Sequence, residues 1–392
     1  MAHDTSRPLT RRGLLHRAGW IVAASALAAV SLWSTPRLRA ADTLPTRLAD
    51  DEFWKLSDSS SEPSGVFQSE NFLSNETGFQ AVIPRLTQST KRDGVYLGVG
   101  PEQNFTYIAE MRPKIAFITD IRRQNMLEHL IYKAIFEMSP DRADFVSRLF
   151  SRKRSAELSE TSTINELFGA YRSSPMDREL FAKNLQDISD LLLKTHAFGL
   201  TKEDETNIEH VYTVFRDYGP ELNYNSGAGR NGFRRGGGMP TYASLMTARD
   251  SQGEHRSYLA NEENYRVIRD LERRNMIVPL TGDFGGTKAL RAVGQYLKDH
   301  NATVTAFYLS NVERYLFQIT GNQNGGWTAF YDNVATLPLD ASSTFIRSVS
   351  GGSQGGGAGM RAPNVIASIQ QTLAAVKDGR IRDYEDVFTF SK

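Results

Sequence analysis

An apolar run, Val95-Tyr96-Leu97, ends in Gly98-Val99-Gly100, and a second apolar run closes on an acid, Asp120, 22 residues after Gly98. Between them lies a stretch of helical character that begins with Glu102, Gln103 and Asn104. Glycine at a strand-to-helix turn lets a ligand approach the backbone, and a carboxylate ending the next strand can accept ribose hydroxyls. This is the opening of a nucleotide-binding α/β unit. A pyrophosphate needs free backbone N–H groups and no competing charge at that helix N-terminus, whereas Pro101 removes one donor and Glu102 adds a carboxylate. NAD and FAD are thereby disfavoured, although Arg122 and Arg123 leave a 2′-phosphate conceivable. A nucleoside without phosphate, such as S-adenosylmethionine, meets no such repulsion.

Further polar side chains follow apolar runs. Asp283 comes after 276–280, Ser310 and Asn311 after 304–309, and Arg347 falls within 343–349. Together with Gln103, Asn104, Asn125 and Glu313 they offer carboxylates, amides and guanidiniums for acid, base or anion roles. The same side chains at strand ends can equally cap the next helix. Glu102, Asn311 and Glu313 are the candidates for catalysis. Gly98, Gly100, Gln103, Asn104, Asp120, Arg122 and Asp283 are the candidates for holding a cofactor.

The elements that must position them follow from periodicity. Strands are predicted over 95–98, 115–119, 276–280, 304–309 and 343–349, and helices over 126–138, 262–274, 288–300, 312–318 and 362–377. An amphipathic helix from Asn71, with Phe72, Leu73, Phe79, Val82, Ile83 and Leu86 on one face, precedes the first strand. Strands alternating with helices over 94–140 and 262–380 predict an α/β fold with a doubly wound, mostly parallel sheet. The core parts are then 67–140 and 262–392, split by a helical insertion over 141–261 and preceded by a flexible lead-in over 41–66. In such sheets ligands sit outside the carboxyl ends of the strands near the switch point, so Gly98, Gly100, Asp120, Asp283, Asn311 and Ser350 would share one crevice. The glycine-rich stretch 223–240 places Arg230, Arg234 and Arg235 on either an exposed flexible loop or a lid that reaches an anionic ligand.

Residues 1–40 read as an address. Thr10-Arg11-Arg12-Gly13-Leu14-Leu15 matches a twin-arginine export signal, and the apolar stretch 18–33 is short for a membrane span. The expectation is a periplasmic or otherwise exported protein whose mature chain has no integral membrane span. The alternative is an uncleaved anchor in the inner membrane. Residues 1–40 carry six Arg and one Asp, so of 46 basic and 45 acidic side chains 40 and 44 remain, a formal charge of −4. A nucleic-acid partner is not expected at that charge. No Cys is present, which excludes disulfides, thiolate metal sites and a Cys nucleophile.

The segments YLGVGPEQNFTYIA, AFITDIRRQN, IVPLTGDF, AFYLSNVERYLF and LDASSTFIRSV resemble a group of uncharacterised exported bacterial proteins. Their Rossmann core is similar to that of class I S-adenosylmethionine-dependent methyltransferases. The resemblance implies a glycine loop at Gly98 and Gly100, a ribose-binding acid at Asp120, an acid near the adenine at Asp283, and a polar motif of the fourth strand at Ser310 and Asn311. No prolines follow that motif, and Glu102 stands where a third glycine is often found.

Other chemistry is weakly encoded. Gly351-Gly352-Ser353-Gln354-Gly355 matches a hydrolase nucleophile elbow, but more glycines follow where a helix must begin, and no His comes after His300. The histidines of the mature chain show no metal-ligand spacing. Three readings result: a methyltransferase-like core holding a small nucleoside-type ligand, an envelope binding or scaffold protein that has lost its cofactor, and a transferase or hydrolase acting on an envelope substrate.

Overall fold

Short runs rich in β-branched and aromatic residues make six strands: β1 (Val95–Gly98), β2 (Ile115–Asp120), β3 (Ile277–Thr281), β4 (Val304–Ser310), β5 (Leu339–Ser348) and β6 (Asn364–Ser368). The computed structural model describes Met1 and residues 41–227, 239–318, 326–349 and 364–391, and Asp42–Lys392 form one unit. The strands make one sheet in the order β3-β2-β1-β4-β5-β6, parallel throughout except where β6 pairs antiparallel with β5. Every residue of β1, β2 and β3 is buried, as strands covered on both faces must be.

The helices, in chain order, are α1 (Asp50–Ser60), α2 (Ile83–Ser89), α3 (Gln103–Met111), α4 (Arg123–Met138), α5 (Arg142–Phe150), α6 (Ile164–Ser173), α7 (Arg178–Asp190), α8 (Lys202–Tyr218), α9 (Tyr242–Met246), α10 (Glu262–Arg273), α11 (Ala289–Asp299), α12 (Val312–Gln318), α13 (Gly326–Ala335), α14 (Ile369–Lys377) and α15 (Asp386–Thr389). Helix α10 packs on both α3 and α4, while α11 packs on α1 and α13, and α13 on α14. The path β1 to β2 moves one way along the sheet and β3 to β4 moves back, so right-handed crossovers put these two layers on opposite faces. The direction in which successive strands are laid across the sheet reverses between β1 and β4, and the crevice at their carboxyl ends is the switch point.

The described residues of 141–261 carry helices α5 to α9 and lie on α4, chiefly through α8 and α5. Phe105, Phe136, Phe145 and Tyr258 form an aromatic seam there, with the Phe136 and Phe145 ring centroids 4.3 Å apart. Among the described residues no helix is long and apolar enough to cross a membrane. Residues 2–40, Arg230, Arg234, Arg235, Ser350 and Ser353 lie outside the described residues.

Three expectations are corrected. The segment expected as a flexible lead-in contains α1, whose Phe53 is fully buried. Its Ser57 hydroxyl donates to the Pro279 carbonyl at 2.6 Å, Glu62 N donates to Thr281 O at 2.8 Å, and Thr281 N donates to Ser61 Oγ at 3.0 Å. Edge strand β3, which Pro279 already blunts, is thus covered by the chain that precedes the core. Second, the helix expected from Asn71 starts only at the short 3₁₀ turn Phe79–Val82. Asn71 is left-handed (φ 48°), and Pro84 stands in the first turn of α2. Third, the helix expected from 362 is preceded by β6, whose Val365 and Ile366 favour a strand, and Ser368 then caps α14.

Phe53→Ala is expected to lower unfolding stability by about 3–5 kcal/mol, the cost of emptying a packed aromatic site. Urea denaturation measures it. A change under about 0.5 kcal/mol would show that α1 is a tether and not part of the core.

Candidate functional site

The turn after β1 is built around one amide. Asn104 Nδ2 donates to the carbonyls of Val99 (2.9 Å), Gly100 (3.1 Å) and Pro101 (2.8 Å), and its Oδ1 accepts from Tyr96 OH at 2.9 Å. A Cβ on Gly98 would stand 1.9 Å from Asn104 Oδ1, so glycine is required there for packing against Asn104. Gly100 has φ +77°, a conformation that favours glycine, and a Cβ there would have only Asn71 Nδ2 within 4 Å, at 3.9 Å. Of the two glycines, Gly100 is the one that leaves room beside the backbone.

That room is part of a cavity of about 360 Å³ at the carboxyl ends of β1, β2, β3 and β4. Gly100, Gln103, Asp120, Asp283 and Asn311 line it, as do Ser74, Tyr308 and Ser310. Phe67, Tyr224, Phe284 and Tyr315 contribute aromatic walls, Phe67 meeting Tyr315 edge-on at 5.3 Å. No Lys, Arg or His is among the described residues lining it.

Asp120 is buried and held by Arg122. Oδ1 accepts from Arg122 N (2.9 Å) and Nε (3.0 Å), and Oδ2 from Arg122 Nη2 (3.2 Å). A carboxylate offers about four lone pairs, so Oδ2 keeps capacity for roughly one hydroxyl. Arg122 lies outside the cavity lining. Its guanidinium sits over the Phe67 ring at 5.8 Å and donates to Glu70 O, so it serves Asp120 and the cavity wall. Asp283 Oδ1 accepts from Gly285 N at 2.8 Å, and Glu62 accepts from Asp283 N (2.8 Å) and Lys288 N (2.6 Å), which fixes the turn into α11.

Several expected site residues are elsewhere. Asn104 and Gly98 form the turn and do not line the cavity. Glu313 is buried in a two-pronged ion pair, Oε2 to Arg347 Nε at 2.7 Å and Oε1 to Arg347 Nη2 at 3.0 Å, and also accepts from Tyr331 OH. Its lone pairs and its charge are engaged in joining α12 to β5, so it is not available as a catalytic carboxylate.

Glu102 points into the interior and not toward the crevice. Its Oε2 accepts from Ser74 N at 3.4 Å, and burial pushes its pKa up to about 8. Glu128 is also fully buried, and burial reinforced by Glu102 pushes it well above the carboxylate range. His129 faces the Gly100 carbonyl at 2.9 Å, and burial pushes it down to about 4. Neutral groups therefore back the glycine turn near pH 7, and the expected repulsion of a phosphate by Glu102 does not arise from this residue. The carboxylates of Asp120 and Asp283, in a lining with no basic side chain among the described residues, disfavour a phosphate instead.

The residue that sequence reasoning missed is Glu76. Its Oε1 accepts from Tyr308 OH (2.9 Å) and Ser310 Oγ, and its Oε2 from Gln103 Nε2 (2.9 Å) and Asn364 Nδ2 (2.9 Å). It lies in the stretch read as an amphipathic helix, where a single Glu carries no motif.

One family, described as a domain of unknown function (DUF7790), matches residues 71–385, from the residue beside Gly100 to just past α14. No curated protein matches the chain.

Stability is expected to fall as pH rises from 6.5 to 8. In that window the folded chain keeps protons on Glu102, Glu128 and Glu272, the last also raised to about 8 by burial, whereas unfolded glutamates titrate near 4.5. The stabilisation from His129 runs the other way, being lost as pH falls from 6.5 toward 4, and is complete in this window. Glu128→Gln should reduce the slope by up to about 1.4 kcal/mol per pH unit and raise the midpoint at pH 8, as read by denaturant titrations at several pH values. An unchanged slope would contradict the buried, protonated state of Glu128.

Proposed function

We propose that this chain, which belongs to the DUF7790 family, binds a phosphate-free nucleoside-type molecule in the crevice at the switch point of a Rossmann-like, methyltransferase-like core. The observation that carries this reading is the lining: a left-handed glycine, two strand-end carboxylates and aromatic rings, with no basic side chain among the described residues. The strand order, with its reversal beside β1 and an antiparallel strand at the β6 edge, supports the Rossmann assignment.

S-adenosylmethionine fits the residues present. Asp120 has acceptor capacity for a ribose hydroxyl, Asp283 lies one strand further out for an exocyclic amine, and Gly100 lets the sugar approach the backbone. That cofactor would supply an activated methyl group. This chain's own residues bind and orient the nucleoside, exclude water with Phe67 and Tyr315, and present Ser310 and Asn311 at the β4 end.

A binding role without turnover is the second reading. Two of its three catalytic candidates, Glu102 and Glu313, are buried away from the cavity. Cytoplasmic synthesis of S-adenosylmethionine also limits exchange of spent cofactor outside the cell. Twin-arginine export carries folded proteins, so a nucleoside bound before export can travel with its host.

Saturating adenosine at a hundred times its dissociation constant should stabilise the protein by about 2.7 kcal/mol, and NADP should give no shift. Asp120→Asn, compared with its own ligand-free melting curve, should lose most of the adenosine shift. An equal shift in the variant, or a shift from NADP alone, would refute the site. Export is tested separately: replacing Arg11 and Arg12 by Lys should leave the protein in the cytoplasmic fraction, and unchanged export would contradict the twin-arginine assignment.

A further inference from the structure

The polarity of the hydrogen bonds around Glu76 limits what the β4 end of the cavity can offer a ligand. Four donors converge on its two oxygens, the complement of an ionised carboxylate. Each hydroxyl has one hydrogen, and those of Tyr308 and Ser310 are both committed to Glu76. What either hydroxyl can present to a ligand is therefore lone pairs. Burial, reinforced by Glu76, also pushes the Tyr308 pKa well above its ordinary value, so the phenol keeps its proton and its donor role.

Charge points the same way. Glu76, Asp120 and Asp283 lie in or directly behind the cavity wall, and among the described residues only Asp120 has a cationic partner, Arg122 at 3.0 Å. Glu76 is 7 % exposed, so its charge is screened by its donors and by little water. A cation in the cavity would complete the balance. Hydroxyl acceptors call for a cation that carries N–H donors, and the Tyr308 and Tyr315 rings in the lining suit an ammonium group.

We infer that the β4 end of the cavity, floored by Tyr308 and Ser310 over the buried Glu76 carboxylate, is a subsite for a protonated amine carried by the bound molecule. The inference rests on the nucleoside reading: with ribose on Asp120 at the end of β2, the 5′ substituent runs past Gly100 to β4. A sulfonium alone at that position brings charge without N–H donors, so a ligand such as S-adenosylmethionine would engage the subsite through the α-ammonium carried on the same substituent. Glu76 acts here as a positioning residue, through the hydroxyls it orients.

The test is calorimetric titration at pH 7 with two matched probes, adenosine and 5′-amino-5′-deoxyadenosine. The amino nucleoside should bind at least about tenfold more tightly, the scale of one hydrogen bond to a charged group. Ser310→Ala, and separately Glu76→Gln, should shrink that ratio to within about threefold. Ser310→Ala removes one acceptor and one of the four donors to Glu76 but keeps the carboxylate and its other three donors, so it remains informative if Glu76→Gln fails to fold. Equal binding of the two probes by the wild-type protein would overturn the amine subsite and leave the nucleoside site standing. Binding of neither probe would overturn both. A ratio unchanged in Ser310→Ala would also overturn the subsite.

Discussion

A buried carboxylate must be surrounded by donors or by positive charge, and Glu76 is surrounded by donors. Those donors come from β4, from the first turn of α3 and from the start of β6. One side chain therefore ties β4, the helix after the glycine turn and the antiparallel edge strand to the segment whose Asn71, Ser74 and Asn75 line the cavity. Asn104 does the same for the turn itself by gathering three carbonyls. With both in place, the chain's own hydrogen bonds hold the walls of the crevice, the condition under which the proposed ligand would bind without a large ordering cost.

Groups behind the turn complete the picture. Glu102, Glu128 and His129 are buried where ionisation is penalised, so they contribute bulk and polarity but no charge near neutral pH. Negative charge at the site comes from Asp120, Asp283 and Glu76, and the only cation bonded to any of them among the described residues is Arg122. In the proposed nucleoside site this charge pattern favours neutral or cationic molecules with aromatic surface over phosphates.

Periodicity and turn chemistry made much of this legible beforehand. The apolar runs of β1 to β4 and of the second half of β5 stand out because parallel strands are buried on both faces, and Gly98, Gly100 and Asp120 mark strand ends by residue type alone. Helix α1 and strand β6 were not legible. The first is mostly polar and is recruited by backbone groups of β3, and the second is only five residues long and runs directly into α14. Nor does sequence show which way a polar side chain turns. Glu102 and Asn311 look alike as strand-end candidates, yet the first enters the interior and the second lines the cavity. Glu76 gave no signal, because its importance comes from partners up to 288 positions away.

The most direct test is a crystal structure of the protein soaked with adenosine. The account predicts electron density for the nucleoside between Gly100 and Tyr315, with a ribose hydroxyl within hydrogen-bond distance of Asp120 Oδ2 and the base toward Asp283. Adenosine bound elsewhere, or side chains packed through the space between Gly100 and Asp120, would contradict it.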